Sequence, residues 1–257
     1  MNIKTNEVFK QKLHSKYTIG PFCKTEDPAF IEVMGNAGFD FVILDMEHGP
    51  NNIQSMQNLI RAGECSGTSV IVRVTGAFPD KISAALDIGA AGVQVPMVSS
   101  IQDAKNVVLA AKYYPKGSRG VCRYVRAANY SARPADEYFK SANDAVIIVQ
   151  IENQMGIDNL DDILSVEGID VIFMGSYDIS QTLGIPGKVK DPGVVDTIKK
   201  INERCRARGV QTGTFVERIE DVKFWHALGM NYICYSVDVG LLFSACSTLM
   251  DTIHKVV

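Results

Sequence analysis

Four apolar stretches of this 257-residue sequence end on residues that do chemistry. They close as Leu44-Asp45-Met46-Glu47-His48-Gly49-Pro50-Asn51, Val72-Arg73-Val74, Val149-Gln150-Ile151-Glu152-Asn153 and Met174-Gly175-Ser176-Tyr177-Asp178. Packing alone does not choose Asp, His, Arg, Gln and Glu at the ends of apolar runs. Glu152 and Asp178 stand about one strand-helix-strand repeat apart, so they come from equivalent positions on adjacent strands. Two such carboxylates, with few other ligands, suit Mg²⁺ or Mn²⁺, which keep waters and take substrate oxygens. No imidazole or thiolate cluster points to structural zinc. Taken singly, each carboxylate is equally well a helix N-cap or an ion-pair partner. Of the four histidines, His14, His226 and His254 fall on helical or terminal segments, so His48 is the candidate general base, with a side chain suited to neutral pH. Arg73 lies inside an apolar strand, and a buried guanidinium needs an anion: Asp45, Glu47 or a substrate. Gly175-Ser176-Tyr177-Asp178 offers consecutive backbone N–H groups at a helical turn, which can hold a carboxylate. Gln211-Thr212-Gly213-Thr214 is a poor phosphate cradle, which argues against a phosphorylated substrate.

Short β-branched runs predict buried parallel strands at Thr18–Phe22, Phe39–Asp45, Ser69–Val74, Gly92–Val95, Ala145–Ile151, Asp170–Met174, Val210–Phe215 and Asn231–Ser236. Helical spacing fills the intervals: Pro28–Ala37, Ile53–Gly63, Pro79–Ile88, Ile101–Tyr113, Ile157–Leu164, Pro192–Arg208, Ile219–Leu228 and Val239–Ile253, with an extra leading helix over 3–15. Glycines such as Gly38, Gly168 and Gly229 punctuate the helix-to-strand joints. Eight strand-then-helix units in this length predict one closed (β/α)8 TIM barrel spanning 1–257, with its catalytic face at the C-terminal strand ends. An open doubly wound sheet would want a glycine-rich turn after the first strand, which Gly20-Pro21-Phe22-Cys23-Lys24-Thr25 does not supply. Residues 115–143 form the longest irregular piece, and a loop that long is usually functional.

Composition narrows the class. Formal charge is −3, so there is no basic excess to hold nucleic acid. With 46% hydrophobic and 21% charged residues the chain is globular in character, and no apolar run reaches the length of a membrane span. Met1–Lys16 is polar and carries no signal-peptide core. The six cysteines lie at least 12 residues apart, so they read as reduced thiols of a cytoplasmic protein. A Schiff-base mechanism needs an internal lysine, and the strands contain none; Lys24 is the nearest.

The segment 38–51, together with Val95-Pro96-Met97-Val98, Tyr114–Val121, Val149–Glu152 and Phe173–Ser180, resembles the metal-dependent (class II) pyruvate aldolases typified by 4-hydroxy-2-oxoheptanedioate aldolase, the HpcH/HpaI aldolase/citrate lyase family. The likeness covers about residues 17–250. It implies a barrel whose last helix is exchanged with a neighbouring subunit, and assembly as a hexamer, a trimer of dimers. It implies Glu152 and Asp178 as ligands of Mg²⁺, Mn²⁺ or Co²⁺, Gln150 beside them on the substrate, and Arg73 as stabiliser of an enolate oxygen. His48 is implied as the base, Asp45 as an acid close to it, and Asp87 as an acid that reaches a neighbour's histidine. Backbone groups from Gly175 and Ser176 through Tyr177 and Asp178 would hold the pyruvate carboxylate, with Phe22 and Phe215 lining the substrate site. The implied activity is reversible cleavage of a 4-hydroxy-2-oxo acid into pyruvate and an aldehyde.

Departures from the family pattern fall on the aldehyde side. Gly-Ser-Tyr-Asp stands where Gly-Pro-Ala-Asp is usual, so a large Tyr177 narrows the mouth; Phe215 replaces a smaller aliphatic residue; Cys122-Arg123-Tyr124-Val125-Arg126 replaces a stretch of small residues. A related lyase acting on a CoA thioester, for which Arg119, Arg123 and Arg126 leave an entrance open, an oxaloacetate decarboxylase, and a non-catalytic barrel binding a small acid are the alternatives.

Overall fold

The computed structural model of the chain describes residues 3–257. Helix α1 (Ile3–Ser15) leads into eight strands: β1 (Thr18–Cys23), β2 (Phe41–Asp45), β3 (Ser69–Arg73), β4 (Gly92–Val95), β5 (Val146–Ile151), β6 (Val171–Met174), β7 (Gln211–Val216) and β8 (Tyr232–Val237). Each pairs in parallel with the next and β8 closes on β1, so the sheet is the expected closed barrel. The helices that follow the strands are α2 (Pro28–Asn36), α3 (Ile53–Ser66), α4 (Pro79–Asp87), α5 (Ile101–Ala111), α6 (Ala135–Ala142), α7 (Gln154–Asp158), α8 (Leu160–Leu164), α9 (Ser176–Thr182), α10 (Pro192–Ala207), α11 (Ile219–Ala227) and α12 (Asp238–Val256). Their starts are written locally. Asp27 accepts from the Ala29 N–H ahead of Pro28 in α2, and Asn52 forms a reciprocal capping box with Ser55 at α3.

The strands alternate between two environments. Val42, Leu44, Val70, Val72, Val93, Val95, Ile147, Val149, Ile172 and Met174 pack outward with helix residues such as Leu59, Ile82, Val107 and Ile163. Their in-between neighbours Phe41, Ile43, Ile71, Val146, Ile148, Val171, Phe173, Tyr232 and Cys234 fill the barrel, joined by Phe9 and Leu13 of α1, which plugs the N-terminal end. Phe41 stacks on Tyr232 with centroids 4.4 Å apart, and Phe9 leans on Phe41 at 5.5 Å. Gly213 is required beside this stack, since a Cβ there would lie 2.1 Å from the Tyr232 carbonyl oxygen.

Three local expectations change. The segment 115–143 is not open loop: a 3-10 turn (Arg126–Ser131) and α6 fold over Tyr113, and Ala127, Ala128 and Ala142 join Tyr138 in a small separate core. The helix expected over Ile157–Leu164 starts earlier and is broken at Asn159 into α7 and α8. The polar turn after β6 continues as the helix α9. At the other end of the chain, α12 buries only Asp238 and leaves Leu242, Phe243, Leu249, Met250 and Ile253 exposed. No helix among the described residues is long and apolar enough to cross a membrane.

Candidate active site

The inward alternation that puts apolar side chains in the lower barrel carries polar ones to its C-terminal mouth. Phe41 and Ile43 are followed by Asp45, Ile71 by Arg73, and Val146 and Ile148 by Gln150 and then Glu152. A cavity of about 340 Å³ at this mouth is lined by Lys24, Asp45, His48, Arg73, Gln150, Glu152, Asp178 and Glu217 among others. Phe22, Phe173, Gly175, Ser176, Tyr177 and Phe215 complete much of its wall. The residues that the sequence assigns to this barrel's own site therefore meet. Asp87 ends α4, away from this cavity, and is ion-paired with Arg119.

Arg73 has its anions within the chain. Its Nε and Nη2 donate to Asp45 Oδ1 and Oδ2 at 2.9 and 2.7 Å, its Nη1 lies 2.9 Å from Glu47 Oε2, and its guanidinium sits 4.5 Å over the Phe22 ring. These contacts engage three of the five guanidinium N–H groups, so donors remain for a substrate oxygen. Burial pulls the Asp45 carboxyl upward, but Arg73 and the His48 and Glu47 N–H groups outweigh it and hold Asp45 below the ordinary carboxylate range. Asp45 thus serves Arg73 and the turn that carries His48, not the imidazole ring. His48 stands out into the mouth, 61% exposed, with Nε2 4.0 Å from Glu47 Oε2. Asn51 braces that turn against the first one, donating to the Lys24 and Asp45 carbonyls. Lys24 is in turn fixed by Asp238, whose Oδ2 accepts from the Lys24 N–H, the Thr25 N–H and the Thr25 hydroxyl.

Glu152 is nearly fully buried. Its Oε1 accepts the Met97 N–H at 2.7 Å, and Met97 adopts φ 57°, a left-handed conformation uncommon for its type, to present that group. Its Oε2 accepts from Gln150 Nε2 at 2.8 Å. Gln150 is held by Gln94, and Gln94 by the Tyr232 hydroxyl at 3.1 Å, so a side-chain chain runs up the barrel to Glu152. Burial, reinforced by Asp178 and Glu47 against these donors, pushes the Glu152 carboxyl up to about 7. Burial likewise raises Glu47.

The donor set fits a hard divalent cation. A Cβ at Gly175 would lie 2.5 Å from Glu152 Oε2 and 3.4 Å from Asp178 Oδ2, so both carboxylates face the space that glycine leaves open. No group of three His, Cys, Asp or Glu side chains able to hold a metal occurs among the described residues. A metal held here would have two carboxylates and room for water or substrate oxygens, a donor set that suits Mg²⁺ rather than structural zinc.

Sequence reasoning passed over Gln94 and Glu217 as site residues, named Lys24 only as the lysine nearest to a Schiff-base position, and treated Glu47 only as a partner for Arg73. Gln94 sits in an apolar strand, a signal of the same kind as Gln150. Glu217 and Lys24 follow Phe215 and Phe22 at the two-residue step that sets the inward face. The Met97 backbone gives no sign in the sequence.

Comparison with known proteins supplies the family. The sequence profile of the HpcH/HpaI aldolase/citrate lyase family matches residues 18–245. A 5-keto-4-deoxy-D-glucarate aldolase from Escherichia coli O157:H7 is 34% identical over 255 residues, covering 97% of this chain and 99% of that one. Among solved structures, an HpcH/HpaI aldolase/citrate lyase family protein from Burkholderia cenocepacia superposes with TM-score 0.91 at 27% identity, over 97% of this chain and 99% of that one. The citrate synthase SbnG superposes with TM-score 0.87 at 32% identity, over 96% and 97%. The profile match over most of the barrel, and a full-length relative at this identity, make the chain a member of the HpcH/HpaI aldolase/citrate lyase family.

Proposed function

We propose that this carbon–carbon lyase is a divalent-metal-dependent aldolase that reversibly cleaves a 4-hydroxy-2-oxo acid into pyruvate and an aldehyde. The observation that carries the reading is the pairing of Glu152 and Asp178 around Gly175, with Arg73 and His48 on the same cavity. Glu152 and Asp178 would hold Mg²⁺, Mn²⁺ or Co²⁺, which supplies Lewis-acid polarisation of the 2-oxo group. The N–H groups of Ser176, Tyr177 and Asp178, at the start of α9, would orient the pyruvate carboxylate. His48 takes the proton from the C4 hydroxyl. The C3–C4 bond then breaks, the aldehyde leaves, and the electron pair moves onto the enolate oxygen of pyruvate. Arg73, rigidly held by Asp45 and Glu47, is preorganised for that charge. Protonation at C3 returns pyruvate, and synthesis runs the same steps backwards. Gln150 acts chiefly by fixing Glu152, and Phe22 and Phe215 shape the substrate wall.

Assembly belongs to the same proposal. A hexamer, a trimer of dimers, with α12 laid on a neighbouring barrel, would cover Leu242, Phe243, Leu249, Met250 and Ile253. Asp87 would then leave or share Arg119 to meet a neighbour's His48. The setting is cytoplasmic, and the partners are small molecules rather than nucleic acid or membrane.

Exhaustive EDTA treatment should abolish pyruvate release, and Mg²⁺, Mn²⁺ or Co²⁺ should restore it. His48→Ala should bind metal normally while losing about 10²–10⁴-fold in turnover. Full activity after chelation, or inactivation by borohydride in the presence of pyruvate, would refute the reading in favour of a Schiff base.

A further inference from the structure

A second cavity, of about 270 Å³, adjoins the one that holds the carboxylates. Ser176, Tyr177, Phe215 and Glu217 line both. The Tyr177 hydroxyl donates to Glu217 Oε2 at 2.7 Å, and the Tyr177 ring leans on Phe215 with centroids 6.1 Å apart. This pair forms the partition between the two spaces.

The walls of the second chamber are largely apolar: Val189, Val195, Val216, Phe224 and Trp225. Its cations stand at the exposed rim, each more than half open to water and beside a carboxylate. Lys190 pairs with Asp221 at 3.0 Å, and Arg218 with Glu220 at 3.2 Å. Glu217 adds a negative charge at the partition. A carboxylated tail passing the partition would first meet Glu217, whereas an apolar tail gains about 25 cal/mol for each Å² removed from water. An apolar cavity of about 150 Å³ holds a benzene molecule, so this chamber has room for a ring and a short linker. The competing cation, Lys24, stands at the base side of the mouth, 4.0 Å from Asp45.

We propose that the chamber beyond the Tyr177–Glu217 pair receives the far end of the acceptor aldehyde, and that it selects an uncharged, apolar or aromatic tail. This rests on the aldolase reading and names the substrate class for it.

Trp225 is the chain's only tryptophan and lines the chamber, so its emission reports occupancy without metal or turnover. Metal-free protein titrated with 3-phenylpropan-1-ol should show a saturable change in Trp225 fluorescence, and 4-hydroxybutanoate should not. In Mg²⁺-loaded enzyme, kcat/KM for addition of pyruvate to 3-phenylpropanal should exceed that for succinic semialdehyde at least tenfold. Val189→Phe, which fills the chamber from the loop before α10, should remove both the fluorescence response and the preference. It should leave deuterium exchange into the pyruvate methyl group unchanged, since that step needs no acceptor. No saturable response to the alcohol, or a preference for the carboxylated aldehyde, would overturn the chamber assignment while exchange persists. Absence of metal-stimulated exchange in the unsubstituted enzyme would overturn the aldolase reading and the acceptor role with it. Should Val189→Phe fail to fold, the two probes on the unsubstituted chain decide the matter.

Discussion

The lower and upper halves of the barrel interior are built by the same strands on the same face, yet they solve opposite problems. Below, Phe41, Ile43, Ile71, Val146, Ile148, Phe173 and Tyr232 close a dry core that α1 seals with Phe9 and Leu13. Above, at the next inward positions, stand Asp45, Gln150 and Glu152, all buried, and Arg73, partly so. The lower half stabilises the fold. The upper half costs stability, because Glu152 is held where its charge is disfavoured, and it gains a cavity in which charge is already arranged. The two halves are tied together by Tyr232, whose ring is core and whose hydroxyl begins the chain through Gln94 and Gln150 to Glu152.

The sharpest way to break this contrast is Glu152→Gln. Metal-dependent turnover should fall on the order of 10³-fold or more, since a ligand of the ion and its charge stabilisation go together. Yet the metal-free protein should melt at a higher temperature, because a disfavoured carboxyl has become an amide. A lower melting point in EDTA would show that the upper half is not the strained one. Phe41→Ala tests the other half. Losing a fully buried ring stacked on Tyr232 should cost about 3–5 kcal/mol in denaturant unfolding, with kcat of the folded fraction unchanged.

Gly175→Ala tests the space between the carboxylates. Its Cβ has no room beside Glu152 Oε2, so metal affinity read by titration calorimetry should drop about 10–100-fold. The smallest effect is on pH dependence. The folded Glu152 carboxyl titrates near 7, and the unfolded one near the ordinary 4.5. Between these values the folded state keeps a proton that the unfolded chain has lost, so metal-free stability should fall as pH rises through that window. Asp45, held low, has the opposite sign: its contribution is present above the ordinary carboxylate range and is lost only in stronger acid. Glu152→Gln should remove the fall between 4.5 and 7 and leave the acid limb, as followed by melting temperature against pH in EDTA. Metal affinity should climb over the same interval, because binding must displace the Glu152 proton.

Much of this was legible before any coordinates. The eight strands appear within two residues of their expected limits, because buried parallel strands write themselves as β-branched runs and the following helices carry their own caps. Asp45, Arg73, Gln150, Glu152 and Asp178 were readable because each interrupts or ends such a run. Glu217 and Lys24 were readable in principle, as the next inward step beyond Phe215 and Phe22, but they lie past the apolar signal. Which anion Arg73 takes was not legible, since Asp45, Glu47 and a substrate satisfy it equally on paper. The Met97 N–H that meets Glu152 and the packing of Ala127, Ala128, Tyr138 and Ala142 on Tyr113 depend on contacts between distant segments. No local pattern encodes them.

The tether from Asp238 has a mechanical meaning. Asp238 is the one buried residue of α12, a rod about 28 Å long at 1.5 Å per residue. It grips Lys24 and Thr25 through a single oxygen. A rod held at one end turns any displacement of its free end into torque at the pivot. Here the pivot is the turn that carries Lys24 at the rim of the cavity, and Asn51 links it to the turn of His48. A change in the seating of α12 would therefore be felt first at this corner of the mouth.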